Sequence, residues 1–224
     1  GEMHRNKEAY MKPTIVYDNE VMKKELGAGW GFSALIEDEK TSPILFDTGA
    51  DSSTLLHNMK ELDIDPKNIR IIVISHAHGD HTGGLSEILK VNEIAELYIP
   101  SSFRRVFPGR KVTIVGKDSI QICQDVFSTG ELKGIEQSLA IKTDKGILVV
   151  VGCSHPGVGE IIDAASRFGK VYGIVGGFHG FHDFKAFENL SLIYPCHCTS
   201  HKREILDSFR GKALRCGVGL VIEQ

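Results

Sequence analysis

The chain has 224 residues, 42% apolar and 25% charged, with a formal net charge of −3. That is enough polymer for one sizeable core and ordinary for a globular protein. The weakly acidic balance gives no electrostatic footprint for nucleic acid, no apolar run reaches the ~18 residues that span a bilayer, and the five cysteines have neither disulfide-framework nor CxxC spacing, which fits a reducing cytoplasm.

Residues 1–13 are polar and lack the apolar middle of an export signal. Residues 14–16 read as a short β-branched strand, 27–31 as a glycine-rich loop carrying Trp30, and 32–36 as an extended apolar segment. A second apolar run, 43–46, ends at Asp47-Thr48-Gly49. Residues 53–62 place Leu55, Met59 and Leu62 at helical spacing, with Asp51, Ser52 or Ser53 as N-cap. Residues 71–74 are four consecutive β-branched side chains, the composition of a strand buried on both faces. They lead into Ser75-His76-Ala77-His78-Gly79-Asp80-His81. A helix is expected over 85–90, a strand over 97–99, and a loop over 101–111 with Arg104, Arg105, Arg110 and Lys111.

The second half repeats the style. Strands are expected at 112–115, 121–123, 138–142 and 147–151, with tight hairpins at Gly116-Lys117-Asp118 and Thr143-Asp144-Lys145-Gly146. A helix over 160–168 follows, then strands at 171–175 and 192–194, a helix over 202–208 and a closing strand at 217–222. With no linker and no low-complexity segment, a single domain over 1–224 is expected, made of two similar halves.

The chemistry concentrates in His76-x-His78-x-Asp80-His81. In an extended segment the side-chain period of two puts His76 and His78 on one side, and Gly79 lets the chain turn so that Asp80 and His81 face the same cavity. An isolated surface histidine is usually only solvated. Three imidazoles and a carboxylate at the end of a buried strand instead suit zinc, manganese or iron.

The string from Ser75 to His81, followed by Thr82-Gly83-Gly84-Leu85, resembles the HxHxDH motif of the metallo-β-lactamase superfamily. Leu45-Phe46-Asp47-Thr48-Gly49 is similar to that superfamily's first motif, whose aspartate supports the metal ligands without binding metal. His155, in Gly152-Cys153-Ser154-His155-Pro156-Gly157, stands where the third motif has its histidine, and His197, in Pro195-Cys196-His197-Cys198-Thr199, where the last histidine lies. The phrases GCSHPG, GGFH and PxHCT resemble one branch, of metal-dependent hydrolases. It includes an enzyme joining a dihydropterin to ribofuranosylaminobenzene phosphate in methanopterin synthesis. The resemblance implies an α/β (α+β) fold, a four-layered αββα sandwich of two mixed β-sheets flanked by helices.

It also implies a site. His76, His78 and His155 would hold one divalent ion; Asp80, His81 and His197, with His179, would hold or line a second. Asp47 would fix a ligand's orientation, and Asp80 could relay the proton of a water activated between the ions. The superfamily's bridging aspartate is missing after residues 171–175, where Gly176-Gly177-Phe178-His179 stands. His179 is the candidate replacement, with Asp183 as runner-up and Asp163 as a surface residue. An imidazole bridges less readily than a carboxylate, so unequal metal sites are expected, more tolerant of phosphate.

Other residues read more plainly. His4 and His57 are expected to be solvated, and His182 and His201 to lie near the site without binding metal. Cys153, Cys196 and Cys198 are expected to be core thiols, because strand neighbours of an inward residue point outward. The arginine-rich loop is either solvated or a phosphate clamp; Trp30 either stacks on substrate or plugs the loop.

The first functional expectation is a cytoplasmic metal-dependent hydrolase using one or two ions, zinc first, on a small phosphoester or pyrophosphate. No nucleic-acid or membrane partner is expected, and a homo-oligomer is possible. A transferase joining a dihydropterin to an arylamine phosphate is the second, and a non-catalytic metal-dependent binding module the third.

Overall fold

The computed structural model describes residues 11–38 and 43–223. His4 therefore lies outside the described residues. Two six-stranded sheets face one another. The first runs in spatial order through β1 (Lys12–Tyr17), β2 (Ser33–Glu37), β3 (Ile44–Phe46), β4 (Ile71–Val73), β5 (Glu96–Pro100) and β6 (Val112–Val115). The second orders β12 (Leu192–Cys196), β11 (Val171–Gly177), β10 (Gly146–Val151), β9 (Leu139–Thr143), β8 (Val126–Ser128) and β7 (Ile120–Cys123).

Both sheets are mixed, and they mirror each other. In the first, β3 to β6 are joined by parallel pairings while β1, β2 and β3 pair antiparallel. In the second, β10, β11 and β12 are parallel while β7 to β10 pair antiparallel.

Alternation along the strands sorts side chains into layers. Ala34, Ile36, Phe46 and Val73 meet Leu139, Ile141, Leu148 and Val150 between the sheets. The alternate residues Leu35, Leu45, Ile72 and Leu97 face outward onto Leu55 and Met59 of α1 (Ser52–Glu61) and Leu85 and Ile88 of α3 (Leu85–Val91). On the other outer face Ile147, Val149, Ile174 and Ile193 pack on Val158 and Ile161 of α4 (Val158–Ala165) and Ile205 of α5 (Lys202–Ser208). The result is the expected helix–sheet–sheet–helix sandwich.

Asp51 caps α1, accepting from the Thr54 amide at 3.2 Å. The Thr143–Gly146 hairpin joins β9 to β10. Two expectations fail. Gly116-Lys117-Asp118 makes no hairpin: β6 pairs in parallel with β5, β7 belongs to the other sheet, and the segment crosses between them. Turn residues mark a reversal without saying which sheet receives the next strand. Residues 217–222 form no strand either. Gly219 has a φ of 95°, which breaks the extended run and leaves only isolated bridges, Val221 to Thr14 and Val218 to Val21. The antiparallel strand β8 had not been expected.

Candidate metal centre

The candidate ligands all follow carboxyl ends of parallel strands, the edge at which open α/β sheets place their sites. β3 ends at Asp47, and β4 leads to Ser75 and His76. The chain then turns through a four-residue helix, α2 (Gly79–Thr82), carrying Asp80 and His81. From the second sheet, β10 leads to Cys153 and His155, β11 to His179, and β12 to His197.

Four non-glycine residues here have left-handed backbones: Asp47 (φ 59°), Ser154 (φ 61°), His179 (φ 50°) and His197 (φ 45°). Such conformations cost roughly 1–3 kcal/mol each and cluster where function over-determines the chain.

Asp47, fully buried, organises the first half of the site. Its Oδ1 accepts from the Ser75 amide at 2.7 Å, and its Oδ2 from the Ser75 hydroxyl and His81 Nδ1, both at 2.6 Å. Since the Ser75 hydroxyl is spent on Asp47, its oxygen accepts the Nδ1 proton of His76 at 2.8 Å. His76 is thereby fixed with a bare Nε2, which is buried and has no partner. Burial, and then the neighbouring imidazoles of His81, His155 and His78, holds His76 well below the usual histidine range and so neutral. Burial acts on His81 in the same sense, but the Asp47 and Asp80 carboxylates outweigh it and hold His81 up at about 10.

Gly152 makes this arrangement possible. A Cβ there would lie 2.4 Å from Ser75 Oγ and 3.1 Å from Asp47 Oδ2.

The second half has its own supports. His197 Nδ1 meets Asn19 Oδ1 at 2.8 Å, the His197 amide donates to Asp18 Oδ1 at 2.8 Å, and Nε2 is left facing Asp80 Oδ2 at 2.8 Å. Burial pushes Asp80 up, but hydrogen bonds from His197 and His81 overcome it and keep the carboxyl far below its ordinary value. Glu136, fully buried, accepts from the amides of Cys153, Ser154 and His155 at 3.2, 2.9 and 3.2 Å, and stands 3.5 Å from His76 Nδ1. Burial pushes Glu136 up to about 7. His155 is lowered to about 4 by burial and then by His78 and His179; its Nε2, like that of His76, is buried without a partner.

The imidazoles converge. Ring centroids are 4.7 Å apart for His76–His78, 4.9 Å for His76–His155 and for His78–His155, 5.1 Å for His81–His197 and 4.9 Å for His155–His179. Two donor sets result. Asp80, His81, Cys153 and His197 bring their ligand atoms within 4.8 Å of one another, as do His76, Cys153 and His155. The Nε2 atoms of His76 and His155 are buried without a partner, and the Nδ1 atoms of His76, His81 and His197 are held by Ser75, Asp47 and Asn19. Imidazoles oriented in this way are what a divalent cation requires, so the residues present fit one.

The structure revises several sequence expectations. Cys153 and Cys198 are buried, as expected of core thiols, but they stand beside the site and in none of the three apolar clusters. Cys153 Sγ lies 3.1 Å from His81 Nε2 and 3.3 Å from Cys198 Sγ. The alternation argument fails because Ser154 and His197 leave the extended region beside them. Cys196 does pack in the core between the sheets. His179 is exposed and groups with Cys153 and Cys198 rather than with either set above. Asp183, also exposed, joins none of the donor groups among the described residues.

His57 bonds to the Glu25 carbonyl, and His201 to Glu204 at 3.0 Å. In the basic loop Arg105 reaches Ser86, Arg110 the carbonyls of Leu89 and Asn92, and Lys111 Glu96, so these cations already serve structure. Trp30 is no plug. It is 63% exposed, with its ring 5.1 Å from that of His197.

Glu136, Asp18 and Asn19 were not foreseen. Asp18-Asn19 follows a strand as Asp47 does, a signal that could have been read; Glu136 carries none.

A family model described as the metallo-beta-lactamase superfamily matches residues 26–171. The chain belongs to the metallo-β-lactamase superfamily. Among its relatives in the superfamily is a Methanocaldococcus jannaschii protein named 7,8-dihydropterin-6-methyl-4-(beta-D-ribofuranosyl)-aminobenzene-5'-phosphate synthase. It is 30% identical over 264 residues, covering 86% of this chain and 89% of that one. A solved metal-dependent hydrolase of the β-lactamase superfamily superposes with a TM-score of 0.77 at 26% identity, over 96% of this chain and 99% of its own. A diphosphatase of the PhnP family superposes at 0.62 with 13% identity, covering 96% and 98%, and shows the shared metallo-β-lactamase fold alone. No helix among the described residues is long and apolar enough to cross a membrane.

Proposed function

We propose that the chain is a metal-dependent hydrolase acting on a small phosphoester or pyrophosphate. The observation that carries this reading is the pair of buried, unpartnered Nε2 atoms of His76 and His155, two residues that group with Cys153, as Asp80, His81 and His197 do in turn. His76, His78 and His155 are assigned to one divalent ion, and Asp80, His81 and His197 to a second, with His179 at the rim; zinc suits the donors best, with manganese or iron as alternatives. Bound there, such ions supply a nucleophilic water at neutral pH and polarise a phosphoryl oxygen.

The chain's own residues do the rest. Asp47 and Ser75 set the tautomers of His81 and His76, and Asn19 that of His197. Against burial, Asp80 is kept ionised by His197 and His81, as a carboxylate donor to the second ion requires. The donors are mostly neutral imidazoles, with the carboxylates of Asp80 and, behind His81, Asp47 offsetting only part of the charge of two divalent ions. The loaded site would stay net positive, which favours an anionic substrate. Exposed Trp30 offers a flat face to an aromatic part of the substrate.

A second reading, transfer of a dihydropterin to an arylamine phosphate, is favoured by the synthase that is 30% identical over most of both chains. Metal-loaded protein incubated with a dihydropterin pyrophosphate, with and without an arylamine acceptor, separates the two. Pyrophosphate release without acceptor supports hydrolysis; release only with acceptor supports transfer. Absence of turnover there and across a panel of phosphoesters would sink both and leave a non-catalytic binding module. A cytoplasmic location and a homo-oligomer remain part of the proposal.

A further inference from the structure

We infer that Cys153 is a metal ligand, and that its sulfur is shared between the two donor sets in the place of the missing bridging carboxylate. The inference rests on the metal-dependent reading above and deepens it.

The first support is position. Cys153 Sγ belongs both to the set with Asp80, His81 and His197 and to the set with His76 and His155. No other residue appears in both. His179, the sequence's candidate for this role, keeps company only with Cys153 and Cys198.

The second support is environment. Cys153 is 3% exposed, yet it is absent from all three apolar core clusters, whereas Cys196 and Cys216 belong to the one between the sheets. Its near polar neighbours are His81 Nε2 at 3.1 Å and Cys198 Sγ at 3.3 Å. A thiol buried only as a small hydrophobe has no cause to sit against an imidazole nitrogen whose ring is already aimed by Asp47.

The third support is how the backbone is held. Glu136 accepts from the amides of residues 153, 154 and 155 together, so Cys153 and His155 are presented by one clamped turn. Gly177 then lets Cys198 close in behind: a Cβ there would lie 2.7 Å from Cys198 Sγ. Cys198 touches the Cys153 sulfur and His179 but belongs to neither donor set, which makes it a positioning residue and not a second bridge.

Coordination by Cys153 releases its thiol proton to solvent, leaving a thiolate as the donor. A sulfur donor among imidazoles selects zinc, iron or cobalt over manganese.

The test is cobalt(II) replacement, read by absorption rather than by turnover. Wild-type protein is expected to show the visible bands of a bound cobalt ion together with a near-ultraviolet sulfur-to-cobalt charge-transfer band. Cys153→Ser should lose the charge-transfer band and bind its weaker ion about 100-fold less tightly. Cys153→Asp should lose the band yet recover the wild-type metal content. Cys198→Ser should keep the band, so the assignment stands even if a Cys153 variant fails to fold. Bound cobalt without the band in wild type, or a band that disappears with Cys198 and persists without Cys153, overturns the sulfur ligand while leaving the metal reading intact. No cobalt binding at all overturns both.

Discussion

The two sheets each deliver half of the centre, and they do so in different ways. The first sheet supplies His76, His78, Asp80 and His81 from one continuous string, with Asp47 and Ser75 bonded beneath it. His76 and His81 are both fully buried. The second supplies Cys153, His155, His179 and His197 from three separate strand ends, two of these histidines at positive φ and His179 exposed. A contiguous motif carries its own scaffold, because the chain that positions one ligand positions the next. A dispersed set must be held by long-range contacts: Glu136 to the 153–155 turn, and Asp18 and Asn19 to His197.

The contrast breaks most sharply at Asp47. Asp47→Ala leaves buried His81 without its carboxylate and frees the Ser75 hydroxyl. Removing one partner of a buried pair costs about 3–5 kcal/mol, to be read as lowered stability of metal-free protein in urea. A loss within 1 kcal/mol, about the size of a surface change, would mean that the string needs no scaffold.

The second half answers to pH through Glu136. Burial raises its folded pKa to about 7 from an ordinary 4.5, so its contribution is full below 4.5 and is lost as pH rises through about 7. Metal-free wild type should therefore lose up to about 3 kcal/mol relative to Glu136→Gln across that window. Parallel stability curves for the two proteins would remove Glu136 as the clamp of the 153–155 turn.

Where the halves touch, Gly152→Ala pushes a methyl into Ser75 and Asp47. Overpacking of this kind costs about 1–3 kcal/mol. The same variant should disturb His76 and His81 as much as His155, measured as broadened imidazole resonances on both sides. Disturbance confined to the second sheet would show the halves to be independent.

The smallest effect on folding belongs to Trp30→Ala. The side chain is 63% exposed, so stability should move by no more than about 0.5 kcal/mol. Affinity for an aromatic substrate should fall by about 10-fold, the value of one lost stacking contact. An unchanged KM would place substrate elsewhere.

What was legible in the sequence follows the same division. The strand at 71–74 and its histidine string could be read together because all their information is local. His155 and His197 were readable only through resemblance, each being a lone histidine after a strand. The burial of Cys153, Cys196 and Cys198 was legible, but not that Cys153 and Cys198 stand beside the site: alternation holds only while the backbone stays extended, and the turn at Ser154 is held by Glu136, eighteen residues away in sequence. The false hairpin at 116–118 has a related cause: a turn signal says that the chain reverses, not which sheet it joins.

The most direct measurement is elemental analysis of metal per chain, on protein purified without chelator and again after stripping and refilling. Two ions per chain are expected, both removed by chelation and both restored by zinc. A chain that takes up no zinc, manganese or iron would contradict a metal centre assembled from the ends of both sheets.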